Sequence, residues 1–104
     1  MMTASAALST KGEGHCAVTG ILTLETAPEL WKQLKGGGLL TSAREADLSG
    51  VTDADSAGLA LLVAWRSSCA AANNQLHFRA LPVRISALAK LTGAEAALGD
   101  HTGG

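Results

Sequence analysis

The chain has few aromatic residues, no basic block, no long apolar run and no metal-ligand spacing. It has no Tyr, one Phe and two Trp, so it lacks the aromatic platforms on which bases stack. Eight Lys and Arg against nine Asp and Glu leave a net charge of −1 with no basic block. Nothing is built to neutralise phosphates in number, and nucleic acid is not an expected partner. The two cysteines, Cys16 and Cys69, lie far apart without ligand spacing and read as buried, reduced thiols of a cytosolic protein. No apolar run approaches the roughly 20 residues that cross a bilayer. The start, "MMTASAALSTKGEGH", lacks the basic region and apolar core of a signal peptide. A cytoplasmic location without membrane insertion is expected.

An enzyme would need a constellation, and none is evident. Asp47, Asp53 and Asp55 are conceivable Mg²⁺ ligands, but a solvated turn with one helix cap accounts for them. His15, His77 and His101 share no ligand spacing. "KGGG" (35–38) lacks the spacing and the Lys-Ser/Thr ending of a phosphate-binding loop, so the chain is not itself an ATPase. Neither metal nor cofactor is expected.

What is present suits one small domain. With 104 residues, 47% hydrophobic and 16% charged, folding buries roughly 65% of the unfolded surface. Residues 1–13 are small and polar and read as a flexible N-terminus, 14–98 as a single domain and 99–104 as a flexible C-terminus. "HCAVTGILTL" (15–24) is rich in β-branched residues, with Gly20 predicting two short strands or one bulged strand. "TAPELWKQLKGGG" predicts a helix with Thr26 as N-cap, Pro28 in the first turn, an apolar stripe of Leu30, Trp31 and Leu34, and three glycines to stop it. "READLSGV" (44–51) predicts a strand ending at Gly50, with residues 52–55 as a turn and a helix over 56–73. "QLHFRAL" (75–81) alternates, placing Leu76, Phe78 and Ala80 on one face and His77 and Arg79 on the other. Pro82 then opens a helix whose Val83, Leu88 and Leu91 are expected to face the core, with Gly93 as its cap. A last turn containing Leu98 is expected in the tail. Alternating strands and helices imply an α/β fold, a small mixed β-sheet with helices packed on one side.

The helix over 56–73 has an unusual surface. At about 100° per residue, Leu59, Leu62, Val63 and Cys69 point to the sheet with Trp65 beside them. Ala57, Ala60, Ala64, Ser67, Ser68 and Ala71 lie opposite, and Arg66 is the only charge. Alanine is the best helix former, which accounts for part of this. A face with no charge at all also suits close packing by another protein, since small side chains let backbones approach. Asp55 or Ser56 is positioned to cap the helix, whose positive end can also face a phosphate or a partner's carboxylate.

"DLSGVTDADSAGLALL" (47–62) closely resembles the core motif of STAS domains, and the Asp-Ser-Ala-Gly-Leu run is its specific part. "VTGILT" resembles the first strand pair, Trp31 sits in the expected first helix, and "LHFRALPVRISALAKLTGAEAAL" resembles the closing strand and helix. Within the superfamily the pattern is most similar to the small STAS subunits of Mla-type (toluene-tolerance) phospholipid ABC transporters. The resemblance implies the STAS fold and a non-catalytic subunit that binds the cytoplasmic ATPase of a transporter moving phospholipid, with a role in outer-membrane lipid asymmetry. It would sit at the inner membrane through that complex. The contact region it implies is Ser56, with Asp55, Ala57 and Gly58 beside it, and the uncharged face through Ala60, Ala64, Ser67 and Ser68 continues from there. A standard interface buries roughly 1,600 Å² in total, so flanking contacts at Trp31 and Asp53 are expected too. The alternative is a phospho-regulated anti-sigma-factor antagonist, but Ala57 stands where those proteins carry the phosphorylated Ser or Thr. In isolation, the uncharged face can also pair weakly with a second copy.

Overall fold

Gly12 and Gly14 bracket the first reversal of the chain, with φ of 149° and 70°. These backbone angles suit glycine because it carries no Cβ. The computed structural model describes residues 5–99. In it, strand β1 (Ala6–Gly12) runs antiparallel to β2 (His15–Leu22). Residues 6–12, expected to belong to a flexible N-terminus of 1–13, are an edge strand. Its core-facing positions are Ala6 and Leu8, both only partly covered, which is why its hydrophobic alternation is faint. Residues 1–4 and 100–104, His101 among them, lie outside the described residues.

Strand β3 (Glu45–Ala54) pairs parallel with β2, and the short β4 (His77–Arg79) pairs parallel with β3. The order across the sheet is β1-β2-β3-β4. β2 is one irregular strand rather than two, with its register to β3 slipping beside Gly20. Gly20 has φ 93°, and a Cβ there would collide with the Ser5 carbonyl. β3 runs on past Gly50 to Ala54, so the expected turn at 52–55 is strand up to its last residue. Gly50 does not stop the strand because it serves a packing role: a side chain there would strike Thr19 on β2.

The strands are linked by α1 (Ala27–Gly36), α2 (Leu39–Ser42), α3 (Ser56–Ala71) and α4 (Val83–Thr92), followed by a single 3₁₀ turn at Ala96–Leu98. Cys16, Val18, Ala46 and Leu48 are buried under the helices, while His15, Thr19, Ser49, His77 and Arg79 are exposed on the opposite sheet face. Period-2 alternation thus produces a sheet covered on one side. The core gathers Leu22, Leu30, Leu34, Leu62, Trp65, Leu76 and Ile85 between the two layers. Trp65 meets Phe78 edge to face, with ring centroids 5.9 Å apart, and its indole N–H donates to the Leu39 carbonyl at 2.9 Å. That bond removes the cost of burying the indole nitrogen.

Three local expectations are corrected. Thr26 stands at the N-cap position of α1 but its side chain makes no capping bond: its hydroxyl donates to the Ile21 carbonyl at 2.6 Å and accepts from the Thr23 N–H at 3.0 Å, tying the turn to the end of β2. Ala80 is exposed with φ 56° and lies beyond β4, which is only three residues long. On α4, Val83 and Leu91 are 85% and 83% exposed, and Ile85 and Ala89 are buried instead. Ile85, Leu88 and Ala89 share one helical face at i, i+3, i+4 spacing, and Val83 and Leu91 fall outside it. Gly93 does cap the helix, at φ 73°.

Candidate functional site

The start of α3 is organised by one carboxylate. Asp55 Oδ1 accepts from the N–H groups of Ala57 at 2.9 Å and Gly58 at 3.2 Å, while Oδ2 accepts from the Leu24 N–H at 3.1 Å. Asp55, not Ser56, is therefore the N-cap, and it also fastens the turn after β2 to the helix. Burial alone would raise the Asp55 carboxyl. The N–H groups of Leu24, Gly58 and Ala57 together outweigh it and hold the group below the usual carboxylate range. The Asp55 N–H in turn donates to the Leu22 carbonyl at 3.2 Å. Gly58 lies against the same carbonyl so closely that a Cβ would overlap it. The Asp-Ser-Ala-Gly run is thus explained residue by residue: Asp caps and ties, Gly permits contact with β2, and Ser56 is left exposed.

α3 crosses the middle of the helical layer, with α1 and α2 on one flank and α4 and the 3₁₀ turn on the other. Its buried set is wider than one helical face: Gly58, Leu59, Leu61, Leu62, Trp65 and Cys69. The exposed positions are Ser56, Ala60, Ala64, Ser67, Ala70 and Ala71, with Ala57, Val63 and Ser68 half-covered beside them. The scarcity of charge along α3 follows in part from this burial, since only this exposed strip has to meet water. Arg66 leaves the strip altogether. Its Nε donates to the Leu76 carbonyl at 3.2 Å, and Nη1 reaches the carbonyls of Ala96 and Ala97, both at 3.4 Å.

Between α1 and α3 the surface opens into a shallow, mainly apolar groove of about 540 Å³. α3 lines it with Ala57, Ala60, Leu61 and Ala64; α1 with Ala27, Pro28, Trp31 and Lys32; and Leu24 joins from the preceding turn. Leu24 is 71% exposed. The structure thus brings Trp31 together with three of the small residues expected to form one surface. Ser67 and Ser68 lie further along α3, outside the groove. Asp53 lines a neighbouring hollow with Leu24 and Asp55, and its carboxylate lies 4.0 Å from Arg84 of α4.

The part that Leu24, Ala27, Pro28 and Leu61 play in this surface escaped the sequence reading. Leu24 was legible only as the end of a strand, and its exposure depends on Asp55, 31 residues later. Asp47, Asp53 and Asp55 do not converge as ligands. Asp47 accepts from the Ser49 N–H at 2.9 Å, Asp53 from that of Ala54 at 2.9 Å, and Asp55 is committed to the helix. Among the described residues no three His, Cys, Asp or Glu are placed to share a metal ion. Cys16 and Cys69 are buried and unpaired. Burial, with Cys69 nearby, pushes the Cys16 thiol up to about 11, and burial raises Cys69 as well, so both resist forming thiolates. Among the described residues no helix is long and apolar enough to cross a membrane.

The comparison with protein families agrees with this architecture. The family model described as "Mlab, STAS domain" matches residues 6–99, which includes β1 at one end and the residue after the 3₁₀ turn at the other. No curated protein matches the chain.

Proposed function

The chain belongs to the MlaB-like STAS-domain family, and from that premise we propose that it is a non-catalytic accessory subunit that binds the cytoplasmic ATPase of a phospholipid ABC transporter. The observation that carries the reading is the groove between α1 and α3, where Ala57, Ala60 and Ala64 lie beside Trp31 and the exposed Leu24. Small residues on α3 let a partner's backbone approach closely. Trp31 offers the kind of large apolar surface that dominates interface energetics. Leu24 supplies an apolar side chain whose backbone is already fixed by Asp55, so little entropy is lost when it is covered.

In this reading the subunit clamps the ATPase through the groove and the strip beyond it, stabilising the ATPase and tuning its dimerisation. Its place is then the cytoplasmic face of the inner membrane, held there by the transporter and not by insertion. Without its partner, the same face pairs weakly with a second copy. The reading as a phospho-regulated antagonist of an anti-sigma factor is disfavoured by Ala57, which has no hydroxyl and is half-covered in the groove wall.

Tagging the chain in its native host and identifying what co-purifies tests the proposal. An ABC ATPase with its permease supports it; an anti-sigma-type kinase in their place overturns it.

A further inference from the structure

The opposite end of α3 carries a different feature, independent of the partner reading above. Arg66 is the helix's only charged residue, it is half-buried, and among the described residues its hydrogen bonds go to backbone carbonyls, those of Leu76, Ala96 and Ala97. Among the described residues no carboxylate comes within 4.0 Å of it. It borders a cleft of about 350 Å³ that is also lined by Ala70, Asn73, Asn74, Gln75 and Leu76. Among the described residues no acidic side chain lines this cleft.

The cleft is a cationic hollow edged by amides. Asn74 is already committed, its side-chain N–H₂ donating to the carbonyls of Thr41 at 3.0 Å and Ala43 at 2.7 Å. Asn73 and Gln75 are exposed, and among the described residues their side chains make no hydrogen bond that would have to be broken. Asn73 is held at φ 59°, in the left-handed region, so its place at the rim is fixed by the backbone and not by a side-chain contact. The carboxyl end of α3 contributes a partial negative charge, about half a unit at most. The N–H groups of Ala72, Asn73 and Asn74 already cap its last carbonyls, which leaves the full charge of Arg66 dominant.

We propose that this cleft binds a small oxyanion, a phosphate ester or a carboxylate, with the Arg66 guanidinium as its anchor and the Asn73 and Gln75 amides as further donors. With Nε and Nη1 engaged by carbonyls, the anion is met by the Nη2 hydrogens, charge-assisted donors that suit both groups. The volume exceeds that of a bare ion and leaves room for a small substituent on it.

The test is a titration of the full-length, isotope-labelled chain followed by NMR at constant ionic strength. Inorganic phosphate, sn-glycerol 3-phosphate and acetate are added separately, with chloride as the control. The expected result is a saturable shift of the Arg66 Nε–H and of the Asn73 and Gln75 amides at millimolar anion. Binding should weaken roughly tenfold or more in Arg66→Gln. Because Arg66→Gln also loses three carbonyl contacts, the double variant Asn73→Ala/Gln75→Ala, which leaves them intact, must weaken binding too. Asp100→Asn, run in parallel, removes the carboxylate that follows Gly99 in the sequence, so that it cannot act as a competitor. Tighter binding of glycerol phosphate than of inorganic phosphate identifies a lipid headgroup as the source. Tighter binding of acetate identifies a protein carboxylate. Absence of a saturable shift in both the wild type and Asp100→Asn, or a shift that Arg66→Gln leaves unchanged, overturns the proposal.

Discussion

Asp55 holds Leu24. The carboxylate reaches back across 31 residues to the Leu24 N–H at 3.1 Å while its other oxygen caps α3. One side chain therefore sets both the start of the central helix and the placement of an exposed apolar residue beside it. Leu24→Ala removes contact area without touching the core, so its melting curve should match the wild type. Binding to the ATPase should fall by tenfold or more, as expected for an anchor residue worth about 2 kcal/mol. Calorimetric titration of the purified ATPase checks this.

Asp55→Asn gives the pH signature of the same carboxylate. The folded-state value lies below the unfolded value of 3.8, so the carboxylate contributes stability that is fully present above the unfolded value. That contribution is lost as pH falls through the lower, folded value. Urea unfolding between neutral pH and pH ~3 should show wild type losing this increment and Asp55→Asn lacking it. Asp55→Ala at neutral pH should cost about 1–2 kcal/mol, the upper range for a cap, since the Leu24 tie is lost as well.

Gly58→Ala tests the contact between α3 and β2. A methyl group there overlaps the Leu22 carbonyl and crowds its side chain, and neither the strand backbone nor the helix axis can move freely. Overpacking of this kind costs about 1–3 kcal/mol, against the small gain that Ala brings to an ordinary helix position. Net destabilisation in urea is the expected sign.

The two faces of α4 separate in the same assay. Val83→Lys and Leu91→Lys should each stay within about 0.5 kcal/mol of wild type because both sites are exposed. Ile85→Ala, at a fully buried position, should cost about 2–4 kcal/mol.

These positions also mark how far the sequence could be read. The STAS motif at 47–62 was legible because Asp55 and Gly58 each meet a strict demand, one for a cap and one for space against β2. Gly93 was legible for a similar reason, as a left-handed helix end. β1 was not, because an edge strand needs only one partly covered face, and Ala6 and Leu8 alone give too weak a pattern. α2 was missed because four residues, Leu39–Ser42, are too few to display helical periodicity. It is held largely by others: Trp65 and Asn74 donate to the carbonyls of Leu39, Thr41 and Ala43. On α4 the apolar residues exceeded what one face can hold, so composition alone could not say which turned inward. The groove depended on tertiary contact between α1 and α3, which no local pattern encodes.

The most direct measurement of the central claim is the affinity of the purified ATPase for Ala64→Arg, taken beside the variant's melting curve. Ala64 is exposed, lies in the groove with Trp31, and makes no core contact that an arginine would disturb. The account predicts an unchanged melting curve and loss of binding. Wild-type affinity together with an unchanged melting curve would contradict the placement of the partner on this face of α3.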